Sequence, residues 1–355
     1  MSIEKMEGTF RFGFVKDSKI LKYDFIDLRS ESEFKKGTIP NSINIPVLND
    51  NEFSQVGIDY KKNGKQSAIK LGHHLINGYR KENLIDEWIQ TINKNQNIKI
   101  FCKRGGLRSS TAVRWLNEKN IQIDVLEGGY KSYRKSINDI HSNIDNYKGK
   151  WLIISGYTGS GKTDLIKTLN SSIDLEGLAN HRGSTFGGNH NDQPVQQNFE
   201  NKLTNEYLQL CHSKLILESE SRNIGNVALP GKFYEKMQSS DIVFIDSTID
   251  ERVNNIFEEY VLKPQYQGIS KKSLLEIYET ALKKIRNRLG GDNYVLIKRE
   301  LEMSFNDQQV DNKLWIKLLL EKYYDRLYEY KIDILRKNII FSGDWSACQE
   351  YLKKY

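Results

Sequence analysis

The run WLIISGYTGSGKTDLI constrains this chain more than any other. It sets an apolar stretch directly before a glycine-rich turn and then resumes with helix formers, so it reads as a buried strand, a tight loop and a helix start. Gly156, Gly161, Lys162 and Thr163 satisfy G-x-x-x-x-G-K-[ST] in that setting. Glycines let successive N–H groups turn inward, and the backbone through Thr158, Gly159, Ser160, Gly161 and Lys162 is expected to wrap a diphosphate. Lys162 would neutralise its outer oxygens, and Thr163 can ligate Mg²⁺.

The neighbourhood supplies further polar groups. LILES and DIVFIDS read as strands ending in acidic or hydroxyl residues, as parallel strands often do at their carboxyl ends. Glu218, Glu220 and Asp246 at those ends are Mg²⁺ partners or bases on one reading and solvated strand caps on the other. LEGLANHRGSTFGG and ESESRNIG concentrate His181, Arg182, Ser184, Ser221 and Arg222. Together these suggest a substrate floor beside the phosphate loop; an arginine bracing Glu218 or Glu220 is the competing use.

A second anion cradle lies upstream, in IKIFCKRGGLRSS. Cys102 follows a β-rich run and precedes Gly105, Gly106 and Arg108, with a helix beginning near Ser109. The glycines free backbone amides, the helix start adds partial positive charge, and Arg104 and Arg108 add guanidinium forks. Such a field favours a thiolate. Cys102, Arg104 and Arg108 are the candidate catalytic groups, with Lys103, Gly105, Gly106, Leu107 and Ser109 forming the anion loop.

The two cradles divide the chain near residue 145. Residues 1–145 alternate short apolar runs (YDFIDL, IKIFC, IDVLEGG) with helical candidates (DEWIQTINKN, SSTAVRWLNEKN), the rhythm of an α/β sheet. Residues 146–355 read as a second α/β domain with a helical extension over about 261–340, where apolar and aromatic residues recur at three- and four-residue spacing. A length of 355 residues suits two or three domains.

Composition excludes several classes. No window nears the roughly 18 to 20 apolar residues of a membrane span, and the start lacks a secretory core, so a cytoplasmic protein is expected. Cys102, Cys211 and Cys348 are too few and too scattered for a disulfide framework or a zinc site. His73, His74, His141, His190 and His212 show no ligand spacing and are read as structural, like Cys211 and Cys348. The net charge of +7 is compatible with a polyanionic partner. Residues 261–340 hold 16 Lys and Arg against 11 Asp and Glu, together with Tyr323, Tyr324, Tyr328 and Tyr330. That is either a nucleic-acid face or helix packing with solvated lysines.

FIDLRSESEFKKGTIPNSINIP, with Asp27, Arg29, Glu33, Gly37 and Pro40, resembles the amino-terminal signature of the rhodanese family. LEGGYKSYR, with Gly128 and Gly129, resembles the segment closing that domain. The resemblance implies a cysteine that carries sulfur or selenium. The loop from Cys102 to Arg108 is C-x5-R, one residue longer than the common sulfurtransferase loop and equal to that of rhodanese-fold phosphatases, which suits a tetrahedral anion.

With the phosphate loop appended, FCKRGGLRS, GYTGSGKT, LEGLANHRGSTFG and ESESRNIG resemble the tRNA 2-selenouridine synthase family over essentially the whole chain. That resemblance implies replacement of the sulfur of wobble 2-thiouridine in tRNA by selenium from selenophosphate, after S-alkylation by geranyl diphosphate. It implies no tightly bound cofactor, with Mg²⁺ as an optional companion of the diphosphate, and no membrane partner. Two other classes fit the motifs taken alone: a sulfurtransferase or phosphatase fused to a nucleotide kinase, and a non-catalytic nucleotide-gated RNA-binding module.

Overall fold

A computed structural model describes residues 11–12, 23–95, 97–147, 149–183, 186, 192–210, 213–306, 313–328 and 336–354. Two compact units emerge, one of residues 1–143 with 194–209, the other of 144–193 with 210–355. Division at a single point near 145 places the whole of 146–355 in the second domain; the segment 194–209 instead packs with the first unit.

The first unit is built on a five-stranded parallel sheet. Its strands are β1 (Arg11–Phe12), β2 (Asp24–Asp27), β3 (Ser42–Asn44), β4 (Ile98–Phe101) and β5 (Val125–Leu126), in the order β1-β5-β4-β2-β3. All four residues of β4 are buried, as expected for a parallel strand covered on both faces. Even Lys99 is accommodated, its ammonium 2.5 Å from Asp124 and 4.0 Å from the Tyr23 ring centre. Helices α1 (Glu31–Lys35), α2 (Asp50–Leu75), α3 (Gly78–Lys94), α4 (Leu107–Glu118) and α5 (Gly129–Ser142) complete the sequence-local part. Trp88, fully buried, stacks on Trp115 at 6.2 Å and donates to the Ile45 carbonyl at 3.1 Å.

In the second unit β6 (Lys150–Gly156) leads through α6 (Lys162–Lys167) to β7 (Ser172–Ile173) and α7 (Leu175–Ala179). Helix α8 (Gln196–Leu210) then returns to the first unit. Its docking is largely polar: Asn198 Oδ1 accepts from the Thr38 amide at 2.8 Å, Asn201 donates to the Thr38 carbonyl at 2.6 Å, and Arg134 pairs with Glu200. Thr204 Oγ1 lies 2.7 Å from Nε2 of buried His141, whose pKa burial depresses to about 4.

The chain continues with β8 (Lys214–Glu218), a β9 (Asn223–Ile224) and β10 (Val227–Ala228) hairpin, α9 (Gly231–Ser239) and β11 (Asp241–Ile245). Helix α10 (Ile249–Phe257) passes into a π-helical turn, Glu258–Leu262, then α11 (Lys263–Tyr266), α12 (Lys271–Leu289) and α13 (Gly291–Asn306). Helix α14 (Leu314–Leu319) passes into a second π turn, Leu320–Tyr324. The helical extension ends before residue 339: β12 (Ile339–Gly343) joins the sheet and α15 (Trp345–Lys354) covers it. The second sheet is parallel throughout, ordered β12-β11-β6-β8-β7. β6 is its centre, where successive strands switch from one side to the other, and ligands of open α/β sheets sit outside the carboxyl ends at that point. No helix among the described residues is long and apolar enough to cross a membrane.

Candidate functional site

Each cradle stands at the carboxyl end of a central parallel strand. In the first unit Cys102 follows β4 and is 3% exposed. Its carbonyl accepts from the Tyr130 amide at 2.9 Å, and the Lys103 carbonyl from the Lys131 amide at 2.9 Å, so the LEGGYK segment fixes the loop from behind. Close approach explains Gly129: at φ +57° it lies where a Cβ would stand 2.1 Å from the Cys102 oxygen. Gly105 is also left-handed, at φ +65°. Gly106 caps α4, and Ser109 in the first turn of α4 is 1% exposed with no hydrogen-bond partner for its Oγ among the described residues. A buried orphan hydroxyl beside the cysteine loop is a donor available to an anion.

Arg108 is engaged by Glu33, with Nη1 to Oε2 at 2.5 Å and Nη2 to Oε1 at 3.3 Å. Burial raises the Glu33 carboxyl, but the Arg108 guanidinium and the Ser30 amide outweigh it and hold the pKa below its ordinary value. Lys103, Arg104 and Leu107 are exposed around the loop mouth. Asp27 and Arg29 of the upstream motif are buried against each other, the guanidinium 3.9 Å from the Tyr130 ring centre, so they position the closing segment rather than the loop mouth.

In the second unit the phosphate loop has its carbonyls tied back. Thr158 O accepts from Arg252 Nε at 2.8 Å, Gly159 O from Asn255 at 2.9 Å, and Gly161 O from Trp345 Nε1 at 3.1 Å. With these carbonyls engaged the loop turns its remaining amides toward an anion, although the Ser160 amide donates to the Tyr157 carbonyl at 3.1 Å. Gly159 and Gly161 are left-handed, at φ +86° and +80°. A Cβ at Gly156 would stand 2.6 Å from Ser160 Oγ, which is buried and makes no hydrogen bond among the described residues. Lys162 Nζ folds onto the loop, 3.0 Å from Gly156 O and 3.3 Å from Tyr157 O.

Thr163 Oγ1 lies 2.8 Å from Glu218 Oε2 and 2.9 Å from Glu176 Oε2, while the Glu176 amide donates to Glu218 Oε1 at 3.0 Å. One hydroxyl proton cannot serve both carboxylates, so one carboxyl of the pair carries its own proton. Both pKa values move up accordingly, first through burial, then through charge: that of Glu220 on Glu176, and that of Glu176 on Glu218. Among the described residues no group of three or more His, Cys, Asp or Glu is arranged to hold a metal ion, and Thr163 is engaged with these carboxyls.

Lys162, Thr163 and Glu176, with Glu218 buried behind them, open onto a cavity of about 840 Å³ that Glu220, Ser221 and Arg182 also line. Arg182 is held by Glu259, 2.7 Å to its carboxylate. The other sequence candidates disperse. His181 is half-buried and is not part of the cavity lining; its Nδ1 has no hydrogen-bond partner among the described residues, and its pKa is lowered by burial and then by Lys284. Arg222 and Asp246 are exposed and do not line the cavity; the Asp246 amide caps the Gly343 carbonyl at 2.8 Å. Ser184, His190, Cys211, His212 and Tyr330 fall outside the described residues. Cys348 is buried and donates to the Phe244 and Gly343 carbonyls, with burial pushing its thiol up to about 11.

Sequence reasoning missed Glu176, Arg252 and Trp345. Glu176 stands inside LEGLANHRGSTFG, which carried the family resemblance, whereas Trp345 and Arg252 have no local signal because their partners, Gly161 for the first and Thr158 and Asp325 for the second, are distant in sequence. Tyr323, Tyr324 and Tyr328 line the cavity rather than an outer face.

Comparison with known proteins agrees with this geometry. A family model described as tRNA 2-selenouridine synthase AAA domain matches residues 149–355, and a rhodanese-like domain model matches residues 15–136. The tRNA 2-selenouridine synthase of Shewanella sp. (strain MR-7) is 41% identical over 93% of this chain and 93% of its own length. That of Shewanella frigidimarina (strain NCIMB 400) is 39% identical over 93% of this chain and 94% of its own. That of Shewanella halifaxensis (strain HAW-EB4) is 38% identical across the full length of both. A rhodanese-like unit bearing a cysteine loop, followed by a phosphate-loop unit, thus matches these relatives over 93% or more of its length, and the chain belongs to the tRNA 2-selenouridine synthase family.

Proposed function

We propose that this enzyme replaces the sulfur of wobble 2-thiouridine in tRNA by selenium from selenophosphate, through an S-geranyl intermediate made from geranyl diphosphate. The observation that carries this reading is the presence of two unlike anion cradles in one chain. One holds a thiol and an orphan hydroxyl, Cys102 and Ser109; the other holds a lysine and a carboxyl pair, Lys162 with Glu176 and Glu218. A single-step sulfur or phosphoryl transfer needs one cradle. A thione sulfur leaves carbon poorly, so a two-step exchange needs two.

In the first step the thione sulfur attacks the allylic carbon of geranyl diphosphate, a C–S bond forms, the C–O bond to diphosphate breaks, and the base loses its N3 proton. Lys162 and the loop amides take the departing diphosphate. In the second step the selenium of selenophosphate attacks C2, the C2–S bond breaks and the geranyl thiol departs with a proton; water then takes the phosphoryl group from selenium, leaving 2-selenouridine and inorganic phosphate. Cys102 assists this transfer, while Arg104, Arg108 and the loop amides hold the phosphate. The exposed basic residues of α12 receive the tRNA backbone.

Cys102→Ser tests the division of labour. It should abolish selenium incorporation and leave S-geranylation within a few-fold of wild type. Equal loss of both reactions in a protein that remains folded would refute it. The kinase reading instead requires geranyl transfer to depend on ATP.

A further inference from the structure

The cavity of the second unit is far larger than a diphosphate needs, and its sides differ in chemistry. Lys162, Thr163 and Glu176 belong to its phosphate-loop side; Ile256, Trp315, Leu319, Leu320 and Tyr323 give it an apolar wall, beside further charged lining groups such as Arg182, Glu259 and Arg288. Tyr328 marks where the apolar wall begins, its ring centre 5.9 Å from Lys162 Nζ and 6.0 Å from the Tyr157 ring. Arg252 locks that point: it donates to the Thr158 carbonyl and forks onto Asp325, tying the phosphate loop to the wall. On the facing side a Cβ at Gly159 would stand 2.8 Å from Ile256 Cδ1, so the wall of α10 also starts at the loop.

From Tyr328 the segment 314–328 leads back along its axis. At about 1.5 Å per residue, Leu319 stands roughly 14 Å and Trp315 roughly 20 Å from that end. Trp315 is 3% exposed and packs on Tyr278 with ring centres 5.6 Å apart, which closes the far end with aromatic groups. Both walls change to π-helical turns, Glu258–Leu262 and Leu320–Tyr324, and both turns contribute lining side chains. A π turn inside an α-helix is uncommon and tends to mark functional ground.

We propose that the hydrocarbon tail of the diphosphate donor lies along this wall, against Ile256, Leu319, Leu320 and Tyr323, pointing toward Trp315. The placement rests on the assignment of an allylic diphosphate to the phosphate loop. The dimensions agree: a ten-carbon isoprenoid is on the order of 10 Å long with C–C bonds near 1.5 Å, and the diphosphate between Lys162 and its first carbon adds roughly 4 Å, so its end reaches the level of Leu319. A five-carbon tail stops short of those leucines. Tail burial here removes apolar surface from water on both partners, which a charged loop alone could not supply.

The test is equilibrium binding of geranyl diphosphate, dimethylallyl diphosphate and inorganic diphosphate to the full-length protein and its Leu319→Ala, Leu319→Met and Leu327→Ala variants. Leu319→Ala should weaken geranyl diphosphate about tenfold and leave inorganic diphosphate unchanged. Leu319→Met, which conserves volume, should stay near wild type. Leu327, 47% exposed at the cavity mouth, can be truncated without touching the core, and its loss should weaken both allylic ligands a few-fold. If all three ligands weaken together in Leu319→Ala, or if geranyl diphosphate is unaffected in both alanine variants, the tail lies elsewhere. If the wild type binds geranyl diphosphate no better than inorganic diphosphate, the donor assignment itself falls, and this placement with it.

Discussion

Replacing Gly129 by alanine should dismantle the Cys102 loop while sparing the chemistry of the second unit. Gly129 sits at φ +57°, where a side chain costs about 1–2 kcal/mol. The added Cβ would stand 2.1 Å from the Cys102 oxygen and 2.9 Å from the Arg104 nitrogen, both backbone atoms, so the loop must move bodily. That movement breaks the 2.9 Å bond from the Tyr130 amide to Cys102 O. An unsatisfied buried amide costs about 1–3 kcal/mol. Together the first unit should lose roughly 2–5 kcal/mol, and Cys102 should leave its place at the end of β4. Urea unfolding measures the first effect, and mass spectrometry of tRNA nucleosides the second. Selenium incorporation should fall at least a hundredfold, with S-geranylation within a few-fold of wild type. A variant with stability and selenium transfer both within twofold of wild type would refute the role given to Gly129.

Three further perturbations probe other links. Lys162→Ala should weaken geranyl diphosphate roughly ten- to hundredfold, the loss of one charge-assisted hydrogen bond of about 1.5–3 kcal/mol, with a smaller effect on the unfolding midpoint, because the ammonium's hydrogen bonds among the described residues are to the Gly156 and Tyr157 carbonyls at 3.0 and 3.3 Å. His141 has a folded pKa of about 4 against an ordinary 6.5, so the unfolded chain takes up its proton first as pH falls. Its contribution is complete above about pH 6.5 and is lost progressively down to about pH 4, up to about 3 kcal/mol. His141→Gln should flatten that part of the acid dependence of urea stability, and an unchanged slope would remove the histidine from the docking of α8. Lys283→Glu with Lys284→Glu should weaken tRNA binding and reduce the salt slope by something over one unit, at about 0.7 per neutralised phosphate of a single strand; both lysines are exposed beside the buried Leu282 and Ile285.

What was legible in the sequence was local. Both cradles are written in contiguous residues, because a strand, a glycine turn and a helix start need only their own neighbours, and the apolar runs of β4, β6, β8 and β11 name their strands directly. The less legible parts depend on partners far along the chain. Helix α2 buries only Ala68, so its 26 residues carry no apolar periodicity to announce them. Helix α8 joins the first unit through Asn198, Asn201 and Glu200, polar groups whose partners Thr38 and Arg134 lie more than sixty residues upstream. Asp246 and Glu218 both end strands, and nothing local distinguishes the exposed cap from the buried acid on Thr163. The late tyrosines follow the same rule: periodicity placed them on a helix, but only the fold turns Tyr323 and Tyr328 toward the phosphate loop.

A two-step exchange without nucleotide makes each donor yield its own nucleoside. Mass spectrometry of nucleosides from 2-thiouridine tRNA incubated with the purified protein and geranyl diphosphate, selenophosphate, or both, in the absence of ATP and GTP, reads this. Geranyl diphosphate alone should yield S-geranyl-2-thiouridine, the two together 2-selenouridine, and selenophosphate alone neither. Selenium incorporation without geranyl diphosphate, or geranyl transfer that starts only when ATP is added, would contradict it.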